Sequence, residues 1–224
     1  TTEFTVWFPA DEWYDRQKCE TVVTVRDAIR SLSPDRSILF TEGGGDQPRS
    51  IYDIIKFYTY SGVPFDRNNP DFSIKSDNPD IVDITDKKTG NLVFSGKQGR
   101  ASFTLTQGQN ADYAGSSNTV TFTVLRGSKA ADAMYIRNLE EWKYFAHLVN
   151  EEKMSNLNVK LDGDINLGKE IVMVGNLGIV NYSGTFDGQG HTISFDWNSN
   201  GDARAPFYVV NDATIKNLRI KGQI

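Results

Sequence analysis

Asp162, Asp164 and Asn166, in the stretch KLDGDINLG, stand at the 1, 3 and 5 spacing of a calcium-binding EF-hand loop. Position 6 of that loop is Leu167 where a sharp turn needs glycine, and position 12 is Met173 where a bidentate glutamate belongs. The spacing therefore reads as a strand entering a polar corner, with no metal expected. Asp77, Asp80, Asp83 and Asp86 form a second acidic group and read as solvated turn residues. His147 and His191 are the two histidines, and neither has a histidine or cysteine at zinc spacing. There is no Gly-x-Ser-x-Gly elbow and no His-Glu-x-x-His, and Cys19, the single cysteine, lacks a setting that would activate its thiolate. Asp187 and Asp196 are the two carboxylates that a polysaccharide-cleaving groove would use as a pair. Asp187 is better explained as a turn residue. Trp7, Phe8, Trp13 and Tyr14 crowd the N-terminal segment; exposed aromatics stack on sugar rings or anchor protein contacts. Trp7, Trp13 and Tyr14 are thus the ligand-contact candidates, with core packing as the competing reading. No catalytic residue and no cofactor are expected.

Bulk properties narrow the classes further. A net charge of −5, with basic residues scattered along the chain, argues against a nucleic-acid partner. One cysteine gives no internal disulfide, which fits a cytosolic protein or an exported one stabilised by burial alone. No apolar run is long enough to span a bilayer. The chain opens on Thr1–Thr2 rather than Met, which reads as a mature or trimmed chain whose export signal has been removed.

The elements that would position such residues are overwhelmingly short strands and turns. Residues 1–50 form an N-terminal β-rich segment of unassigned fold. EFTVWF (3–8) alternates like a strand, and TVRDAIRSL (24–32) has the marks of a short helix with a strand as its rival. Residues 51–125 predict an Ig-like β-sandwich. IYDIIKFYTY is expected as its first strand, followed by strands over 71–76, 80–85, 90–94, 100–107 and 118–124. Ala101, Phe103 and Leu105 form one inward set, and Val120, Phe122 and Val124 another. RGSKAADA is small and polar, so 126–135 reads as a linker. In 136–224 the opening segment NLEEWKYFAHLVNEE predicts the best helix of the chain, with Asn138 as its cap and Glu141 three residues on.

After that helix a repeat emerges. KLDGDINL (160–167) resembles TFDGQGHTI (185–193), with Leu161 and Phe186 separated by 25 residues; HTISFDW then matches ATIKNLRI, with Ile193 and Ile215 separated by 22. Repeats of that length made of short strands predict a β-solenoid, with one turn of chain per rung. Phe186, Ile193, Phe195 and Trp197 are expected to point into its bore. Gly188 and Gly190 are expected to turn the corner at positive φ, and Asn217 the next one. The helix is expected to cap the first rung.

YSGTFDGQGHTISFDW, ATIKNLRIKGQI, NLEEWKYFAHLVN and VKLDGDINLG together resemble bacterial β-helix proteins with GLUG-type repeats, over residues 136–224. Such repeats occur in cell-adhesion proteins and in the N-terminal regions of IgA-specific metallopeptidases. SDNPDIVDI, GRASFTLTQ and NADYAGSSNTVTFTV resemble a bacterial Ig-like domain. The resemblance implies an Ig-like sandwich followed by a helix-capped, short right-handed parallel β-helix. It also implies a non-enzymatic adhesion or interaction protein at the cell surface or secreted, with a host protein or glycan as partner. The alternative is an accessory or N-terminal region of a larger β-helix enzyme. The strand-like ending ATIKNLRIKGQI carries no cap, so self-association through an open C-terminal rung is a further expectation.

Overall fold

The computed structural model describes residues 2–8, 17–23, 25–32, 34, 37–42, 48–128, 131–197 and 203–223, with backbone alone for 2–8, 17–23 and 42. The protein is mainly β, built from several sheets, with one α-helix among the described residues. Its described residues fall into two compact units, the first drawn from 1–37, 48–93 and 100–122 and the second from 38–47, 94–99 and 123–224.

In the first unit, β1 (Thr2–Phe8) and β2 (Gln17–Val23) form an antiparallel pair, Phe4 opposite Thr21. β3 (Ile29–Ser31) is a strand where a helix competed with one in the sequence, because Asp27 spends its carboxylate on the N–H groups of Ala28 and Ser61 rather than on a helical first turn. β4 (Ile38–Glu42) belongs to the second unit. The expected strand over 51–60 is instead a 3₁₀ turn, Ile51–Asp53, followed by β5 (Phe57–Thr59), which pairs with β3. A capping box explains the difference: the Ser50 hydroxyl accepts from Tyr52 N–H, and the Asp53 carboxylate accepts from Ser50 N–H. That local closure outweighs the β-propensity of the isoleucines and tyrosines.

Alternation elsewhere in this unit behaves as read. β6 (Phe72–Ser76) runs antiparallel to β9 (Gly99–Gln107), Ile74 opposite Leu105, and β7 (Val82–Ile84) pairs with β8 (Leu92–Phe94). Ala101, Phe103 and Leu105 are fully buried, as is Phe122 of β10 (Ser116–Ser128). The Phe103 and Phe122 rings meet edge to face at 5.8 Å.

Residues 126–135, expected as a linker, are largely strand. β10 continues to Ser128, and β11 (Ala133–Ile136) pairs antiparallel with it, Gly127 opposite Met134. Gly127 lies so close to β11 that an added Cβ would sit 2.2 Å from the Ala133 carbonyl oxygen, which is why a small-residue stretch marks a tight pairing here rather than a hinge. β4 runs parallel to β10 on its other side.

α1 (Leu139–Asn150) forms as predicted. The Asn138 side chain accepts from Glu141 N–H at 2.9 Å, a cap worth about 1 kcal/mol. Trp142, Phe145, Ala146, Leu148 and Val149 are buried. β12 (Val159–Leu161), β14 (Thr185–Asp187) and β16 (Thr214–Lys216) follow β11 as a run of parallel strands within a mixed sheet, and β13 (Ile165–Gly168), β15 (Thr192–Asp196) and β17 (Arg219–Gln223) make a separate parallel sheet. Parallel bridges Val174–Phe207 and Tyr182–Val210 add a third line of contact.

The observed repeat is longer than the sequence suggested. Val159 pairs with Phe186, 27 residues on, and Phe186 with Ile215, 29 on. Ile165 pairs with Ile193 and Ile193 with Ile220, offsets of 28 and 27. The spacing of 22 between Ile193 and Ile215 joined residues of different sheets, and the Asp-Gly match slipped because the corner between paired strands changes in length from repeat to repeat. The corner itself is also made differently. Positive φ falls on Gln189 and Gly190. Gly188 is required for space: an added Cβ would lie 2.6 Å from the Asn217 carbonyl oxygen.

Phe186, Ile193, Phe195 and Trp197 are buried as expected. Trp142 meets Phe186 at 6.0 Å and Phe207 at 5.6 Å, and Phe145 meets Tyr182 at 5.4 Å, so α1 packs directly on the aromatic core of the parallel strands. The polar atoms of the buried rings are satisfied. Trp142 donates to Val172 O, Trp197 to Glu170 O and Tyr182 to Leu157 O.

Candidate functional site

Parallel in-register strands put like positions of successive rungs above one another at about 4.8 Å, so every outward side chain becomes part of a row. On the β13–β15–β17 sheet, Asn166, Ser194 and Lys221 are register partners and form one outward row. Thr192 and Arg219 form a second, and Asp196 and Gln223 a third. Asp164 closes the second row from below: its Oδ1 accepts from Thr192 N–H at 2.8 Å and lies 3.4 Å from His191 Nδ1. Arg219 is held by donating to Gly190 O at 2.7 Å. Apart from Arg219, which borders a neighbouring concavity beside Asp187 and Asn217, these rows line an open concavity of 930 Å³. Phe195 also borders it but is 9% exposed and turns inward, stacked on Trp197 at 4.4 Å; Gly222 leaves room for its ring, since an added Cβ would sit 2.4 Å from it. The result is an open trough bordered by hydrogen-bonding side chains on a parallel sheet.

The β12–β14–β16 sheet carries a different row, Lys160, Asp187 and Lys216. Asp187 accepts from Asn217 Nδ2 and from Gln189 N–H, each at 3.0 Å, and Lys216 lies 3.8 Å away. The Asn217 amide, followed by the Gln189 N–H, holds this carboxyl below the usual range. Asn217 does turn a corner, at φ 52°, but its amide bonds a carboxylate rather than backbone.

The residues singled out in the sequence are mostly committed to structure. Asp162 pairs with Arg126 at 2.9 Å, Asp164 serves β15, and Asn166 Oδ1 accepts from Gly168 N–H. Asp187 and Asp196 line separate concavities and do not converge. Asp77 accepts from the Thr104 hydroxyl, and Asp86 from Lys88 N–H and Thr89. His147 stacks on Tyr144 and lies 3.6 Å from Glu152. Among the described residues no group of three or more His, Cys, Asp or Glu side chains is arranged to hold a metal. Trp7 sits on β1 opposite Lys18; Trp13 and Tyr14 lie outside the described residues.

One functional-looking group escaped the sequence reading. Arg126 is 4% exposed and its guanidinium reaches Glu141 through both Nε and Nη2, at 3.2 and 3.3 Å, and Asp162 through Nη1. Glu141 also accepts from Arg137 N–H and pairs with its guanidinium. This cluster ties β10, α1 and the corner after β12 together. The only sequence signal was a lone arginine ending the apolar run of a strand. No protein-family model matches the chain, and no curated protein matches it in sequence.

Proposed function

We propose that residues 133–223 wind as a short right-handed parallel β-helix of the GLUG-repeat kind, with α1 capping its first rung. The unit built around β6, β9 and the first half of β10 is read as an Ig-like sandwich acting as a spacer. In this reading the protein is a non-enzymatic adhesion or interaction module, secreted or at the cell surface, and its β13–β15–β17 face receives a host glycan or protein.

The observation that carries the reading is the register of Asn166, Ser194 and Lys221, flanked by Thr192 and Arg219. Rows of amide, hydroxyl and cation at rung spacing can match the repeated hydroxyls of a glycan without rearranging. The rigid backbone lowers the ordering penalty of binding.

A second element of the reading is self-association through the outer edges of β16 and β17. Phe186 and Ile193 are fully buried, whereas their register partners Ile215 and Ile220 are 40% and 50% exposed. Among the described residues no strand pairs with the outer edges of β16 and β17. Unpaired strand edges beside apolar side chains invite docking of another strand.

The test is retention of labelled protein on an array of host glycans and immobilised matrix proteins, with mass spectrometry of the glycans afterwards. Retention with the glycans intact is expected. Shortened glycans would favour the reading as part of a β-helix enzyme, and no retention on any spot would remove the adhesion reading. Sedimentation over a concentration series tests the edge: mass rising with concentration is expected, and a monomer throughout would remove self-association.

A further inference from the structure

A small concavity of 250 Å³ in the first unit is lined by aromatic side chains and two cations, and no carboxylate is among its lining residues. Tyr52, Tyr58 and Pro64 form its sides, and Arg67 and Lys56 stand at its mouth. Among the described residues Arg67 makes no ion pair, and its guanidinium lies over the Tyr52 ring at 4.4 Å. A guanidinium stacked this way keeps its planar edge of N–H donors free for a bidentate acceptor.

The Tyr52 ring is fixed before any ligand arrives. Its hydroxyl donates to Lys87 O, Phe57 packs edge-on at 5.8 Å, and Gly90 passes so close that an added Cβ would lie 2.6 Å from the ring. Gly90 also needs its positive φ of 66°. Tyr58 is held in β5 between Arg30 and the bridge to Pro64, and its side chain is half-buried. So the Tyr52 ring is in place with the cation stacked on it, and among the described residues no carboxylate pairs with that cation.

We propose that this concavity is a binding site for a single pyranose ring bearing a carboxylate. The apolar face of the sugar would lie on Tyr58 and Pro64, and the carboxylate would be held bidentately by Arg67 with Lys56 beside it. Three observations select this ligand class. The volume falls below the range of about 300–1,000 Å³ that drug-sized ligands occupy, and suits one ring. Tyr52, Tyr58 and Pro64 are among its lining residues, and rings of this kind pack on the C–H face of a sugar. Two cations that make no ion pair among the described residues, in a chain of net charge −5, select an anion over a neutral sugar. The site stands independently of the β13–β15–β17 face, since its residues belong to the other unit.

Titration of the whole chain with sodium glucuronate, followed by saturation-transfer NMR and calorimetry, tests the site. Sodium acetate, methyl glucoside and N-acetylaspartate serve as comparison probes. Saturable binding of glucuronate is expected in the millimolar range, at least tenfold tighter than each comparison probe. Arg67→Ala and Tyr58→Ala are each expected to weaken it at least tenfold, and Arg67→Lys to recover only part of the loss. Arg67 is exposed, so its variants should keep the thermal midpoint of the parent. Four results would overturn the proposal: no saturable glucuronate binding, equal binding of methyl glucoside, equal binding of acetate or N-acetylaspartate, or full affinity in Arg67→Ala.

Discussion

Replacing Glu141 by alanine leaves Arg126 as a buried cation stripped of its bidentate partner. Breaking a buried ion pair from one side typically costs about 3–5 kcal/mol. Asp162 remains 2.9 Å from Nη1 and offsets part of that, but its side chain is 55% exposed and its attraction is screened by water. The expected loss is therefore at the lower end, about 3 kcal/mol. Asp162→Ala should cost about 1 kcal/mol, because Glu141 still holds the guanidinium. The double variant Arg126→Met/Glu141→Leu removes both charges and fills similar volume, so it should lie within about 1 kcal/mol of the parent. Urea unfolding read by tryptophan fluorescence measures all three. The background should carry Trp7→Phe and Trp13→Phe, leaving Trp142 and Trp197, both buried in the second unit, as reporters. A loss below about 1 kcal/mol for Glu141→Ala would refute the argument, as would a double variant no more stable than that single one.

Other expectations follow from the same geometry. Gly188→Ala should destabilise by about 1–3 kcal/mol in thermal melts, because its Cβ meets the Asn217 backbone rather than a side chain that can swing away. Phe186→Ala should cost about 3–5 kcal/mol by denaturant titration, since Trp142, Phe145 and Phe207 all rest on the ring. Acid should weaken the first unit through Asp27, whose carboxyl is held down to about 2 by hydrogen bonds from Ser61, Thr59 and Ala28 against an ordinary value of 3.8. A lowered folded-state value gives stability that is whole above 3.8 and lost as pH falls toward 2. Melts across that window should show a slope that flattens in Asp27→Asn.

Much of the fold was legible where one physical signal dominated. Period-two alternation placed Phe103, Leu105 and Phe122 in the core, and Asn138 with Glu141 three residues on located α1. Legibility failed where two signals competed. At 51–60 a capping box overrode strand propensity. At 126–135 small residues mark close strand pairing, as Gly127 shows, yet in sequence they look the same as a flexible linker. The repeat was visible but its length was not, since a match of Asp-Gly turns ignores residues gained or lost at the corner, while backbone pairing counts every one of them. The outward rows could not be read before the register was known. Asn166, Ser194 and Lys221 are far apart in sequence and share no motif. Trp7, Trp13 and Tyr14 drew notice as aromatics, whereas the Tyr52–Arg67 stack depends on a turn that the sequence reading took for strand.

The most direct test of the lateral-face account is a charge reversal on the proposed face compared with a charge removal on the neighbouring sheet. Lys221→Glu and Lys160→Gln are made in the whole chain, and the dissociation constant is measured for the glycan or matrix protein that retains the parent most strongly. The account predicts at least a tenfold weakening for Lys221→Glu, with Lys160→Gln binding like the parent and both melting at the parental temperature. Parental affinity in Lys221→Glu, or a loss confined to Lys160→Gln, would contradict it.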